Sequence, residues 1–314
     1  MSGKPTVTVL NAPAAEGRLV SASTLVSDYW ALTKPEVNFL ILITTFAGFY
    51  LGCANAGRQF SFLALFNTLL GTLLVASGTA TLNQYIERKF DAQMRRTSRR
   101  PLAAGRLEPS AVLAFGIGLS AAGTVGLAIA AGVVASLLAL LTLLSYLFLY
   151  TPLKRRTALC VLVGAFPGAM PPLIGWAAAS GRLNVEAWLL YCIVFLWQFP
   201  HFMAIAWMYR EDYDRAGYMV LPQGQSRSRL VVLQTILPLL VLIAIDLVPT
   251  LPGKLAFLYR VGALALGFVF FYCGAEFVLR RSRSAARRLL VASILYLPLL
   301  LLLMTLGKAQ RILM

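Results

Sequence analysis

Three residues at spacing four, Asn83, Glu87 and Asp91, open the segment NQYIERKFDAQMRRTSRR, which runs to Arg100. A long, nearly uncharged run precedes them. On a helix, spacing four puts successive side chains on nearly one face, drifting by about 40° per step. An amide and two carboxylates therefore form a ladder of oxygen donors where a helix leaves an apolar run, with arginines beside it. Such donors suit a hard divalent cation carrying a phosphorylated ligand. A plainer reading has Glu87 and Asp91 neutralising nearby arginines at a helix end. Against it, a carboxylate at membrane depth costs roughly 2.5–3.5 kcal/mol, and three oxygen-bearing residues on one face exceed what neutralisation needs.

A second acidic cluster lies in YREDYDRAGYMVLP, residues 209–222, where Glu211, Asp212 and Asp214 sit between Arg210 and Arg215. Alone it reads as a solvated loop. Paired with the ladder it becomes a second half-site, with magnesium bridging carboxylates and diphosphate oxygens and arginine or lysine taking the remaining phosphate charge. A third motif runs from Tyr150 through Thr-Pro-Leu to Lys154, followed by Arg155 and Arg156. Lys154 can reach a phosphate; Arg155 and Arg156 read as charged membrane anchors. His201 is the chain's one histidine, in WQFPHFMAIAW directly after Pro200. It reads as a packing residue bonded to a carbonyl that the proline frees, as a proton donor, or as an axial ligand for iron. Asp246 reads as reaching the interface and Glu276 as pairing with Arg280 at spacing four; neither is placed in the site.

The elements that must carry these residues are membrane helices. Of the 314 residues 59% are apolar and 13% charged, and mean hydropathy is +0.76. A soluble domain carries about 25% charged residues. Nine apolar runs approach the roughly 20 residues needed to cross a bilayer: 38–54, 62–84, 110–130, 132–151, 158–178, 185–207, 229–249, 255–278 and 288–306. The expected fold is an all-α bundle of nine transmembrane helices around a central cavity. Residues 1–27 are expected to be a flexible cytoplasmic tail without a cleavable signal, and 28–314 one transmembrane domain.

The net charge of +16 invites a nucleic-acid reading, which its distribution opposes. With the N-terminus inside, only Arg58, Arg182, Lys254, Arg260, Lys308 and Arg311 of the 28 lysines and arginines fall in outer segments. That bias predicts an N-in, C-out topology. The inner loops 85–109 and 209–228 each begin with carboxylates and follow spans two and six, so two acidic helix ends are expected to face one another. Cys53, Cys160, Cys192 and Cys273 lack paired spacing and read as small apolar residues. Pro167, Pro171 and Pro172 in the fifth span, and Pro200 in the sixth, predict broken helices. These serve either kinked packing or the wall of a cavity, because freed backbone groups are tolerated only against protein or water.

Together these motifs resemble the UbiA-type membrane prenyltransferase superfamily, typified by 4-hydroxybenzoate polyprenyltransferase. Its acidic motif after span two is matched by Asn83, Glu87 and Asp91, its Tyr-x-x-x-Lys after span four by Tyr150 and Lys154, and its second acidic motif by Glu211–Asp214. The stretches NQYIERKFDAQMRRTSRRPL, YTPLKRRT…VGAFPGAMPPLIGWAA and WQFPHFMAIAWMYREDYDRAG are most similar to the haem-farnesylating branch, and the similarity spans roughly 28–306. Glu87 stands where an aspartate is usual, the second motif has no clean Asp-x-x-x-Asp, and Ala158–Cys160 sits where relatives often carry a polar residue.

The resemblance implies an enzyme of the cell inner membrane with its site facing the cytoplasm. It implies Mg2+ held with farnesyl diphosphate by Asn83, Glu87, Asp91 and Asp212, and a leaving diphosphate held by Lys154, Arg88 and Arg210. Tyr150, Lys154 and His201 are its implied catalytic residues, His201 as haem contact or proton handler. The 2-vinyl group of haem B then attacks an allylic cation and water adds, giving haem O. The implied partners are farnesyl diphosphate, haem B, membrane lipid and a downstream haem A synthase, with no nucleic acid. Two rivals remain: prenylation of an aromatic quinone precursor, which WQFPHF argues against, and a broken-helix transporter, which one-sided acidic clusters argue against.

Overall fold

The computed structural model describes residues 22–221, 225–249 and 254–309. Most of the expected tail, residues 1–21, lies outside them. The remainder joins helix α1 (Ala22–Leu32). Nine helices among the described residues are long and apolar enough to cross a membrane. In chain order they are α2 (Pro35–Ala56), α3 (Phe62–Asp91), α4 (Pro109–Ala130), α5 (Val133–Leu153), α6 (Cys160–Ser180), α7 (Val185–Met208), α9 (Gln225–Asp246, with Arg229–Asp246 as its apolar part), α10 (Lys254–Arg280) and α11 (Arg283–Ala309). A short helix α8 (Arg210–Arg215) follows α7.

Local chemistry sets the boundaries. Ser61 and Asn184 cap α3 and α7 by accepting bonds from the Ala64 and Ala187 amides, which satisfies donors that a helix start leaves free. Pro35 and Pro109 occupy first turns, where no amide hydrogen is required.

Small residues let the helices close in. Helix α2 packs on α6, α3 on α4, and α7 on α9 and α11, while α11 also touches α2. At Gly48 a Cβ would stand 2.0 Å from the Pro172 carbonyl oxygen, so only glycine admits this approach. The expected break in the fifth span is real: α6 divides at Ala169 into Cys160–Gly168 and Met170–Ser180. The Ala165 carbonyl, one turn before, accepts a bond from Gln198 of α7 at 3.0 Å. Seventy-eight per cent of this span is buried, the largest share of the nine, so its prolines serve packing between helices.

One expectation fails away from the site. Asp246 does not reach the interface. It is 1% exposed, Tyr296 donates to its Oδ2 and Tyr259 donates to its carbonyl oxygen at 2.7 Å. Glu276 pairs with Arg280 as expected and more closely with Arg288, at 2.6 Å. All four cysteines are free.

Candidate active site

Helix α3 continues well past its apolar run to Asp91, so the ladder lies on one uninterrupted helix. Asn83, Glu87 and Asp91 are 1%, 5% and 2% exposed. A buried carboxylate needs a partner, and each rung has one from a different part of the chain.

Asn83 donates to the Thr151 hydroxyl at 3.1 Å and accepts from Lys34 Nζ at 3.5 Å. Glu87 accepts from Lys154 through both oxygens, at 3.0 and 3.1 Å. Asp91 pairs with Arg100 at 2.7 Å. The second acidic segment docks on this end: the Arg96 amide donates to Asp212 Oδ2 at 3.2 Å, and the Met219 amide to the Lys154 carbonyl at 2.7 Å. Asp212 is 8% exposed, and Arg215 lies 3.4 Å from it. The two acidic helix ends thus meet, through the loop that follows α3.

The third motif reaches the ladder by an unusual route. Helix α5 widens to a π-helical turn over Ser145–Tyr150 before Thr151–Leu153 ends it. Such turns are frequent at functional sites. Lys154 Nζ lies 4.5 Å from the Tyr150 ring centroid and 5.9 Å from that of Tyr146, within cation–π range. The Tyr150 ring is seated against Gly164 of α6. Burial lowers the Lys154 pKa, but the Glu87 carboxylate, aided by Tyr150 and Tyr146, outweighs it and holds the ammonium well above the usual lysine range. Lys34 goes the other way. Desolvation, then the charges of Arg100 and Lys154, bring it down to about 7 against the support of Glu87 and Asp91. Burial raises the Tyr218 phenol, and the Glu87 charge adds to the rise.

Two expected phosphate ligands are turned elsewhere. Arg88 donates to the Tyr85 carbonyl at 2.6 Å and lies over the Tyr85 ring; one residue past Glu87, it points about 100° around the helix. Arg210 donates to the Trp207 carbonyl and faces Glu211 at 3.8 Å. Besides the expected Lys154, the cations on the ladder are Lys34 and Arg100, which sequence reasoning did not place in the site. The signals were present: Lys34 stands immediately before the proline that starts α2, and Arg100 belongs to the run beside Asp91.

His201 is held apart. Its ring stacks on Trp197 and its Nδ1 lies 2.8 Å from Ser293 Oγ on α11. The serine hydroxyl already donates to the Leu290 carbonyl at 2.6 Å. A hydroxyl has one proton, so Nδ1–H donates, and in the neutral ring Nε2 keeps its lone pair.

Among the described residues no three His, Cys, Asp or Glu side chains converge as a ready metal cage. The donor set still fits a hard cation. Its oxygens are carboxylate and amide, and magnesium is held by one or two carboxylates plus substrate phosphates rather than by a cage of protein ligands. Lys154 and Arg100 balance Glu87 and Asp91, so the Lys34 ammonium, when protonated, is the positive charge left over for an anion.

A helical membrane protein with nine spans among the described residues and paired acidic helix ends beside half-buried cations has the build of an intramembrane prenyl transferase. The chain belongs to the UbiA prenyltransferase family, whose pattern it matches over residues 41–303. It is 48% identical over 287 residues to the Protoheme IX farnesyltransferase of Solibacter usitatus, covering 90% of this chain and 98% of that one. The enzyme of the same name from Koribacter versatilis is 39% identical over 293 residues, covering 91% and 94%. The fold matches a solved structure of digeranylgeranylglyceryl phosphate synthase with a TM-score of 0.66, at 19% identity over 91% of this chain and 99% of that one. It also matches a UbiA homologue from Archaeoglobus fulgidus bound to GPP and Mg2+, with a TM-score of 0.63 at 15% identity over 91% and 100%. The protein is thus a membrane-embedded prenyl transferase.

Proposed function

We propose that this enzyme transfers the farnesyl group of farnesyl diphosphate to the 2-vinyl group of haem B, with addition of water, giving haem O and free diphosphate. The observation that carries the reading is the pairing of the buried Glu87 and Asp91 carboxylates with half-buried cations on one helix end, in a chain 48% identical to a Protoheme IX farnesyltransferase.

Those ion pairs suit a ligand that brings both signs of charge. When a metal diphosphate enters, Asn83, Glu87, Asp91 and Asp212 would hold the metal, and Lys154, Arg100 and Lys34 would turn to the phosphate oxygens. Bound there, Mg2+ would supply charge neutralisation of the leaving group. The chain's own part is electrostatic: fixed cations stabilise diphosphate as the farnesyl C1–O bond breaks. Once Lys154 has turned to the phosphate oxygens, the Tyr150 ring, seated against Gly164, would offer the face that the ammonium leaves to the allylic cation. The vinyl terminus forms the new carbon–carbon bond, water supplies the hydroxyl oxygen, and one proton is released. His201, with Nε2 unprotonated, serves as haem contact or proton acceptor. Arg88 and Arg210 keep an outer electrostatic role on the diphosphate.

The proposed setting is the cell inner membrane, N-in and C-out, with the site at the cytoplasmic face. Haem O would pass to a haem A synthase. Mass analysis of products from haem B and from 4-hydroxybenzoate, each with farnesyl diphosphate, tests the assignment. Haem O from the first mixture alone is expected; a prenylated benzoate without haem O would overturn it.

A further inference from the structure

Beside the Glu87–Lys154 pair, a groove of about 580 Å3 runs between the ends of α3 and α5. That lies within the roughly 300–1,000 Å3 of sites that take a small organic ligand. Its sides are apolar: Ile86 and Phe90 from α3, Leu147 and Phe148 from the π turn of α5. Ile86 is 43% and Phe148 66% exposed, so the groove opens sideways, where the bilayer would lie. Its rim is basic. Arg155 and Arg156 are exposed and form no ion pair among the described residues; Arg155 lies 4.1 Å over the Phe90 ring. Its floor is polar. Glu87 forms part of it, and the buried Tyr218 hydroxyl lies beside the Glu87 carboxylate.

Three features select the occupant. The apolar sides ask for a broad hydrophobic body. Two adjacent unpaired guanidinium groups ask for two carboxylates, since arginine binds carboxylate in a planar fork. The polar floor asks for an edge that reaches the reacting centre, which an acyl chain lacks. Haem B meets all three, and its two propionates lie on the edge of the macrocycle opposite its vinyl groups. We infer that this groove is the seat of the haem acceptor, with the propionates on Arg155 and Arg156 and the vinyl edge directed inward to Glu87 and Tyr218. The inference rests on the transferase reading above and adds where the acceptor enters and what fixes its orientation.

The test uses the full chain in detergent, titrated with haem B by Soret absorbance and assayed for haem O. The doubly substituted Arg155→Gln, Arg156→Gln protein is expected to bind haem about tenfold more weakly or worse. Its KM for haem should rise in proportion, while its KM for farnesyl diphosphate stays within about twofold and its melting temperature is unchanged. Haem dimethyl ester, which lacks both carboxylates, should bind wild type as weakly as haem binds the variant. Three results overturn the groove alone: haem O formed with an unaltered KM for haem in the variant, a rise confined to farnesyl diphosphate, or a loss restored by adding anionic lipid. A wild-type protein that neither binds haem nor makes haem O overturns the transferase reading as well.

Discussion

Lys154 answers to two anions in succession. In the structure it neutralises Glu87, with the two side chains 14% and 7% exposed; in the proposed turnover it would face the departing diphosphate. Removing one member of a buried pair leaves an uncompensated charge, at a cost of about 3–5 kcal/mol. Lys154→Met should therefore lower thermal stability sharply, and Lys154→Met with Glu87→Gln should recover most of it while staying inactive. Equal melting of the single and double variants would show that the pair is not coupled. Lys34 yields a pH prediction. Its pKa of about 7 lies below the ordinary 10.5, so between those values the unfolded chain binds a proton that the folded chain lacks, and this group's contribution to stability rises with pH. A bound diphosphate restores the proton. Affinity for inorganic diphosphate should therefore weaken as pH rises above about 7, relative to Lys34→Arg, whose charge is permanent. Parallel pH profiles for the two proteins would exclude Lys34 from the anion site.

The elements convert these charges into geometry. Helix α3 carries all three rungs to one end, the π turn of α5 delivers Lys154, and the loop after α3 pins Asp212 through the Arg96 amide. Close packing keeps them there. Gly48→Ala would place a Cβ against the Pro172 backbone; overpacking of this kind costs about 1–3 kcal/mol, which a thermal melt in detergent would register. At Gly164 the same change would meet the Tyr150 ring, 2.6 Å from its Cδ2. Gly164→Ala should thus depress kcat more than it depresses melting temperature, and the reverse order would count against Tyr150 as part of the site. Much at this scale was legible beforehand. All nine spans follow from hydropathy, and the ladder from spacing four. The π turn was not, because a local change of helical period leaves no trace in apolar patterning. Nor was the choice among arginines. Arg88 and Arg100 are equal in type, and only the fold of residues 92–108 turns the second toward Asp91 and leaves the first on Tyr85. Lys34 was hidden by its double meaning, since a lysine before a membrane helix also satisfies topology.

At the scale of the molecule, the bundle holds a charged centre at one end of an apolar interior. That division suits a donor with a diphosphate head and an isoprenoid tail, and an acceptor that dissolves in the membrane. Chelation of divalent cations should stop turnover of the protein without unfolding it, because packing and internal ion pairs hold the acidic ends together in the absence of metal. The central claim is that the buried ladder drives loss of diphosphate. Its most direct test is haem-dependent diphosphate release from farnesyl diphosphate by wild type and by Asp91→Asn, with melting temperature recorded for both. One diphosphate per haem O is expected from wild type, and a fall of about 10²–10³ in kcat from a folded Asp91→Asn. Release at the wild-type rate by that variant would contradict the account.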